Sequence, residues 1–281
     1  MSSRQFTFSG LLKLTRFWNL LIIGLAQYFA AGFLISHEKI WDLKLLLLSL
    51  STTIIAAGGY IINDYYDIKI DLINKPERVV IGKQVARRYA LLFHSLLSMT
   101  GTAIGFLLNW KLGVINFFSA FLLWWYSNDL KRQPFIGNFV VALLTGLSIF
   151  LVNILFHVHQ PLVTIYSIFA FAMTLVREIV KDAEDLKGDN TFGCKTLPII
   201  WGFRKTKIFL YFLLSVFFGL IIYINRVYAQ LPMSYFFIFL FVPLALLVIW
   251  LVRADTKRDF YILSQLCKVI LVLGIASMIF I

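Results

Sequence analysis

The chain alternates long apolar runs with short polar stretches. Nine runs stand out, at roughly 17–36, 44–63, 88–108, 112–127, 138–157, 161–180, 206–225, 234–252 and 260–281. A helix needs about 20 such residues to cross a bilayer, so each run predicts a transmembrane helix. The run at 112–127 is short and predicts a tilted helix or a locally thinned bilayer. The first run follows Lys13 and Arg16 without a small-residue cleavage site, so it is expected to be the first span and not a leader. The expected fold is all-α: nine transmembrane helices forming one polytopic membrane domain over 1–281.

The polar connections alternate in charge. Arg4, Lys13 and Arg16 precede the first run, and Lys69, Lys75, Arg78, Lys83 and Arg87 cluster after the second. Lys131 and Arg132 follow the fourth, Lys181, Lys187, Lys195, Arg204 and Lys205 follow the sixth, and Arg253, Lys257 and Arg258 follow the eighth. The intervening connections hold few cations: Lys39 and Lys44, Lys111, and Arg226. The positive-inside rule then predicts a cytoplasmic N-terminus and cytoplasmic basic loops in the cell (inner) membrane. Most of these cations, among them Lys69, Lys83, Arg87, Arg88, Arg204 and Lys205, are expected to set topology alone.

Composition agrees with this reading. The chain is 60% hydrophobic, 17% aromatic and only 14% charged, where a soluble domain carries about 25% charged residues. A net charge of +12 would suit a nucleic-acid binder, but the charges sit in short segments between spans. The expected partner is the lipid bilayer, with no nucleic acid and no obligate protein partner. Cys194 and Cys267 form no metal or redox motif, and the four histidines show no ligand spacing.

Two acidic clusters break the pattern. One holds Asn63, Asp64, Asp67 and Asp71; the other holds Asp182, Asp185 and Asp189. Each places carboxylates at i, i+3 and i+7, which on a helix fall within about 60° of arc. Three carboxylates on one face repel unless a cation lies among them, and oxygen-only ligands favour Mg²⁺ or Ca²⁺ over zinc. Mg²⁺ is commonly held by one or two carboxylates plus substrate phosphates. The clusters follow the second and sixth runs and so open on the same face. Four spans separate them, which suggests two four-span bundles and a final helix. Glu184 lies about 160° from the Asp182 face and is expected to be a salt-bridge partner, not a ligand. Arg177 and Glu178 are charges at a span end, where ionisable groups are costly and often functional. Asn138 and Asn153 read as interhelical hydrogen-bond partners or as pocket residues.

These motifs resemble the UbiA family of intramembrane prenyltransferases. Asn63, Asp64, Asp67 and Asp71 fill that family's NDxxDxxxD motif, and Asp182, Asp185 and Asp189 match its second acidic motif. Asn74-Lys75-Pro76-Glu77-Arg78, Tyr126-Ser127, Leu130-Lys131-Arg132 and Lys195-Thr196 also match, so the resemblance covers essentially the whole chain. One departure is visible: members carry Arg-Pro-x-Asn where this chain has Arg16-Phe17-Trp18-Asn19. The resemblance implies Mg²⁺-dependent prenyl transfer from an allylic diphosphate to a lipophilic acceptor. Asp64, Asp67, Asp182 and Asp185 would be catalytic, and with Asp71 and Asp189 they would hold the metal. Asn19, Asn63, Lys75, Arg78, Tyr126, Lys131, Arg132, Lys181 and Lys195 would bind substrate. Tyr60, Trp124 and Tyr126 could stabilise an allylic cation through their ring faces.

The stretch Arg177 to Asp189 followed by Thr196-Leu197-Pro198 is most similar to the branch whose acceptor is geranylgeranylglyceryl phosphate. There a geranylgeranyl group joins a free hydroxyl to form a second ether. The acceptor phosphate would need cations of its own, for which Lys181, Lys187 and Lys195 are candidates. The alternative is an aromatic acceptor of quinone or tocopherol type. An ion-coupled transporter would place its carboxylates near the bilayer midplane, whereas here they sit at span ends on one side.

Overall fold

The computed structural model describes residues 7–227 and 233–281; Arg4 lies outside them. A helix satisfies its own backbone hydrogen bonds, which is what an apolar run requires in lipid. The helices are α1 (Phe8–Leu14), α2 (Phe17–Leu34), α3 (Leu43–Asn74), α4 (Arg87–Leu108), α5 (Trp110–Asn128), α6 (Ile136–Phe156), α7 (Pro161–Glu184), α8 (Leu186–Thr191), α9 (Leu197–Val227), α10 (Met233–Arg253) and α11 (Lys257–Ser277). Among the described residues there is no strand beyond an isolated bridge between Ile81 and Val85. Both cysteines are buried and free.

Each expected run coincides with one long helix to within a few residues at most ends. Among the described residues, seven helices are long and apolar enough to cross a membrane: α2, α3, α4, α6, α7, α11 and the Leu197–Tyr223 part of α9. The chain is thus an integral membrane protein by the length and composition of its helices. The fourth expected span falls short of that standard, because Asn116, Ser119, Ser127 and Asn128 dilute the apolar run of α5; the eighth coincides with α10, a single helix of 21 residues. Helix α9 bends at Gly202, whose φ of 73° and ψ of 169° are non-helical.

The two halves are built around α3 and α7. Helix α3 packs on α2, α4 and α5, and α7 packs on α6, α9 and α11. The final helix is therefore part of the second bundle and not an appendage: Phe260, Leu263, Cys267 and Ile270 of α11 share a core with Met173, Val176 and Ile179 of α7. Buried polar side chains tie helices together where apolar contact gives little orientation. Gln27 Nε2 donates to Ser148 O at 2.7 Å and Thr52 Oγ1 at 3.1 Å, joining α2, α6 and α3. Asn116 Nδ2 donates to Ser51 Oγ at 2.6 Å, and that hydroxyl donates to Gly101 O at 2.6 Å, joining α5, α3 and α4.

Helices α6 and α7 approach closely at Gly146, where a Cβ would lie 2.7 Å from the Ser167 carbonyl oxygen. Backbone cannot move aside as a side chain can, so a larger residue must wedge the helices apart. Gly146→Val is expected to destabilise the bundle by about 1–3 kcal/mol, the usual cost of overpacking. Gly219→Val, at a position with nothing within 4 Å, is expected to match the parent. Thermal unfolding of both variants in detergent checks this; equal midpoints would refute the close-packing account.

Candidate active site

Helix α3 has 32 residues, which is about 48 Å of helix against a hydrocarbon core of about 30 Å. Its last three turns carry the first acidic cluster at one end of the bundle. Asp64 accepts from Arg16 Nη2 at 2.6 Å. Asp67 pairs with the Lys131 ammonium, both side chains largely buried. Lys131 lies in the turn Leu130–Arg132, which Gly137 allows to pass close: a Cβ there would sit 2.8 Å from Lys131 Cα. Asp71 lies on the same helix, one turn further along.

The second cluster is not on one helix, contrary to the expectation from its spacing. Helix α7 ends at Glu184, Asp185 has φ −91° and ψ 7°, and Asp189 belongs to the short α8. Asn74 accounts for the break. From the end of α3 its Nδ2 donates to Asp185 O at 2.9 Å, and its Oδ1 accepts from Gly188 N at 2.9 Å. Any Cβ at 188 would collide with that carboxamide. The α7–α8 junction is thereby held against the end of α3, which brings the clusters together. Lys75 completes the joint, its Nζ lying 2.7 Å from Asp185 Oδ1 and 3.0 Å from Glu184 Oε1. Asp182 accepts from Asn138 Nδ2 at 2.8 Å. Glu184 is the salt-bridge partner expected, yet it is buried and shares its lysine with Asp185.

Burial pushes the Asp189 carboxyl up to about 7, and the negative charges of Asp185 and Asp67 push it further in the same direction. Carboxylates from both clusters therefore feel one another. Oxygen donors in such surroundings fit a hard divalent cation. They do not form a ready three-carboxylate nest, however. Among the described residues no three His, Cys, Asp or Glu side chains converge on one point; Arg16, Lys131 and Asn138 each take up one carboxylate, and Lys75 takes up two.

Beside the clusters lies a cavity of about 240 Å³. It is lined by Arg16, Asn19, Asn63, Tyr126, Arg177, Glu178, Lys181 and Lys268, and by mainly apolar walls of isoleucine, leucine and valine interrupted by Thr52, Asn116, Ser119, Thr145, Ser148 and Thr174. Four expected substrate residues are here: Asn19, Asn63, Tyr126 and Lys181. Lys75 and Lys131 meet carboxylates instead of facing the cavity. Arg78, Arg132 and Lys195 are exposed and do not line it; the Lys195 amide donates to the Arg132 carbonyl at 2.7 Å, joining their loops. Of the aromatic candidates, Tyr60 lines the cavity with the Arg16 guanidinium 5.0 Å from its ring centre, while Trp124 does not line it.

Sequence reasoning missed three contributors. Arg16 counts in the sequence as a topology-setting cation and as the first residue of the altered Arg-Pro-x-Asn motif, with no carboxylate partner assigned. It adopts φ 51° and ψ 55° at the start of α2, where a proline at 17 would have biased it towards extended backbone; Phe17 removes that bias. Asn74 was read as part of a motif, without its clamp. Lys268 went unnoticed, although a lone charge within an apolar run is itself a signal.

Residues 24–263 match the model of the UbiA prenyltransferase family. Digeranylgeranylglyceryl phosphate synthase of Saccharolobus solfataricus is 40% identical over 212 residues, 73% of this chain and 74% of that one. The synthase of the same name from Sulfurisphaera tokodaii is 38% identical over 188 residues, 66% and 68% of the two chains. Among solved structures, one described as a study of digeranylgeranylglyceryl phosphate synthase in membranes superposes with a TM-score of 0.70 at 25% identity, covering 96% of this chain and 98% of that one. A UbiA homolog from Archaeoglobus fulgidus bound to DMAPP and Mg²⁺ superposes with a TM-score of 0.68 at 18% identity, again covering 96% and 98%, a likeness of fold. With both acidic motifs meeting beside one apolar-walled cavity and the family match spanning most of its length, the chain belongs to the UbiA prenyltransferase family.

Proposed function

We propose that this protein transfers a geranylgeranyl group from its allylic diphosphate to the free hydroxyl of geranylgeranylglyceryl phosphate, with Mg²⁺ as cofactor, forming a second ether bond. The observation that carries this reading is the joint between the clusters: Asn74 and Lys75 hold Asp185 against the end of the helix bearing Asp64 and Asp67, beside an apolar-walled cavity. Supporting it are the names of the synthases from Saccharolobus and Sulfurisphaera and the ligands of the Archaeoglobus homolog.

Asp64, Asp67, Asp182 and Asp185 would hold the metal, with Asp71 and Asp189 behind them. A bound divalent cation supplies Lewis-acid stabilisation of the leaving diphosphate. The protein's own groups do the rest. Lys75 and Lys131 neutralise Asp185 and Asp67 in the resting site and stay close to where the diphosphate departs. Asn19, Asn63, Tyr126 and Lys181 orient the reacting end at the polar rim. The apolar walls keep water from the allylic cation, which would otherwise be hydrolysed. The allylic C–O bond breaks with its electron pair on the diphosphate. The acceptor oxygen then bonds to the allylic carbon and passes its proton to the released diphosphate. Exposed Arg78, Arg132 and Lys195 draw anionic substrates towards the site from bulk solvent. By the positive-inside rule this face is cytoplasmic.

Metal removal tests the first part. EDTA is expected to abolish turnover, and Mg²⁺ to restore it. Asp67→Ala and Asp185→Ala are each expected to lower kcat by orders of magnitude, and the double variant to lose far less than the product of the two, since both serve one diphosphate. Independent, multiplying losses would break the joint-site model. Product analysis by mass spectrometry with a panel of acceptors tests the second part: preference for an aromatic acceptor over geranylgeranylglyceryl phosphate would overturn it.

Sidedness is checked by cysteine labelling at exposed positions. Cysteines at Glu77 and Lys187 are expected to react from the cytoplasmic side, and cysteines at Glu38 and His159 from the other. Labelling of Glu77 and Lys187 positions from the far side would invert the topology.

A further inference from the structure

Four cations line the cavity, Arg16, Arg177, Lys181 and Lys268, against a single carboxylate, Glu178. Arg16 is matched by Asp64 at 2.6 Å. Glu178 serves both Arg177 and Lys181, the latter at 3.7 Å. Among the described residues no carboxylate pairs with Lys268. Its Nζ donates to Asn19 Oδ1 at 2.7 Å, and the charges close enough to act on it are Arg177 and Arg16, both of its own sign. Two like charges inside an apolar bundle are costly unless an anion lies between them.

A second observation points to a ligand at the same place. Arg177 Nε is buried without a hydrogen-bond partner, and so is Thr174 Oγ1, three residues earlier on the same face of α7. Both residues line the cavity. Buried donors left unpaired are uncommon in folded proteins, and here a cationic donor, a hydroxyl and an ammonium share one cavity.

This group is set apart from the acidic clusters. Asn19 lies three residues beyond Arg16, about 4.5 Å further into the bundle, and Arg177 lies five residues before Asp182, about 7.5 Å further in. Lys268 comes from α11, which bears neither cluster. The diphosphate end of the donor is accounted for by the clusters and their lysines, so the surplus positive charge calls for a different anion.

We propose that Lys268 and Arg177, with Asn19 holding the Lys268 ammonium, form a separate subsite for the phosphate monoester of the acceptor. This rests on the acceptor being a phosphorylated glyceryl ether, as argued above. Lys181, one turn beyond Glu178 on α7, borders both subsites. Lys187 and Lys195, the other cations expected to hold that phosphate, lie outside the cavity.

The test is equilibrium binding to the purified full chain in detergent, with EDTA present and no donor. The two probes are geranylgeranylglyceryl phosphate and its dephosphorylated alcohol. The parent is expected to bind the phosphate form roughly tenfold to a hundredfold more tightly, the range for charge-assisted hydrogen bonds. Lys268→Gln, which keeps a donor for Asn19 but loses the charge, is expected to erase most of that preference. Its affinity for the alcohol should stay at the parent value, and so should its affinity for geranylgeranyl diphosphate measured with Mg²⁺. Lys268→Arg is expected to restore the preference. Equal loss for phosphate and alcohol would mean a structural lysine, and loss of donor affinity would assign the cation to the diphosphate; either result overturns the subsite, as does a parent that binds both forms alike. Turnover of an aromatic acceptor in place of the glyceryl ether would defeat the proposed function separately, while the binding comparison would still decide the subsite.

Discussion

Carboxylates from two clusters can face one another at the edge of a membrane only if much of their charge is compensated. Among the described residues Arg16 pairs with Asp64, Lys131 with Asp67, and Lys75 with Asp185 and Glu184, while Asn138 donates a neutral hydrogen bond to Asp182. The partners come from four different parts of the chain, so the same pairs that neutralise the site also draw the start of α2, the end of α3, the turn after α5 and the start of α6 to one end of the bundle. Leaving one of these charges without its partner is costly, so the contacts that assemble the chemistry also hold the helix ends together.

The second constraint is steric. Asn74 makes two hydrogen bonds to backbone across the α7–α8 junction, and Gly188 leaves it the room. A continuous α7 would carry Asp189 onward along its axis. The break turns Asp185 and Asp189 back over α3, which is how two clusters over a hundred residues apart in sequence address one substrate. The polar clamps deeper in the bundle, Gln27 on Ser148 and Asn116 on Ser51, orient the helices beneath this joint.

The cavity couples these features to reactivity. Its walls are apolar and its rim is charged, an arrangement that accepts an amphiphile with its anionic end at the rim. Excluding water protects a carbocation and strengthens each ionic contact at the rim. The cations lining the cavity, Arg16, Arg177, Lys181 and Lys268, outnumber its one carboxylate, Glu178, which favours anionic occupants.

The apolar periodicity was enough to determine the all-helical membrane fold, because a run of that length in lipid has few alternatives to a helix. Helix bounds agree with the expected runs to within a few residues at most ends. The exceptions are α3, which continues through Asn74 because its acidic turns project beyond the apolar layer and remain helical there, and α9, which begins at Leu197, well ahead of its run. The spacing of Asp64, Asp67 and Asp71 likewise told which face they share, since their helix is continuous. The same arithmetic failed for Asp182, Asp185 and Asp189, because a contact from a segment over a hundred residues away breaks the helix between them. Arg16, Lys75 and Lys131 carry nothing local that distinguishes a carboxylate partner from a solvated loop charge. Nor does Lys268 announce that it will face Asn19 across the bundle. Local pattern determines where a helix forms and which residues share its face; which charges meet depends on the packing of helices distant in sequence, and that only the tertiary structure decides.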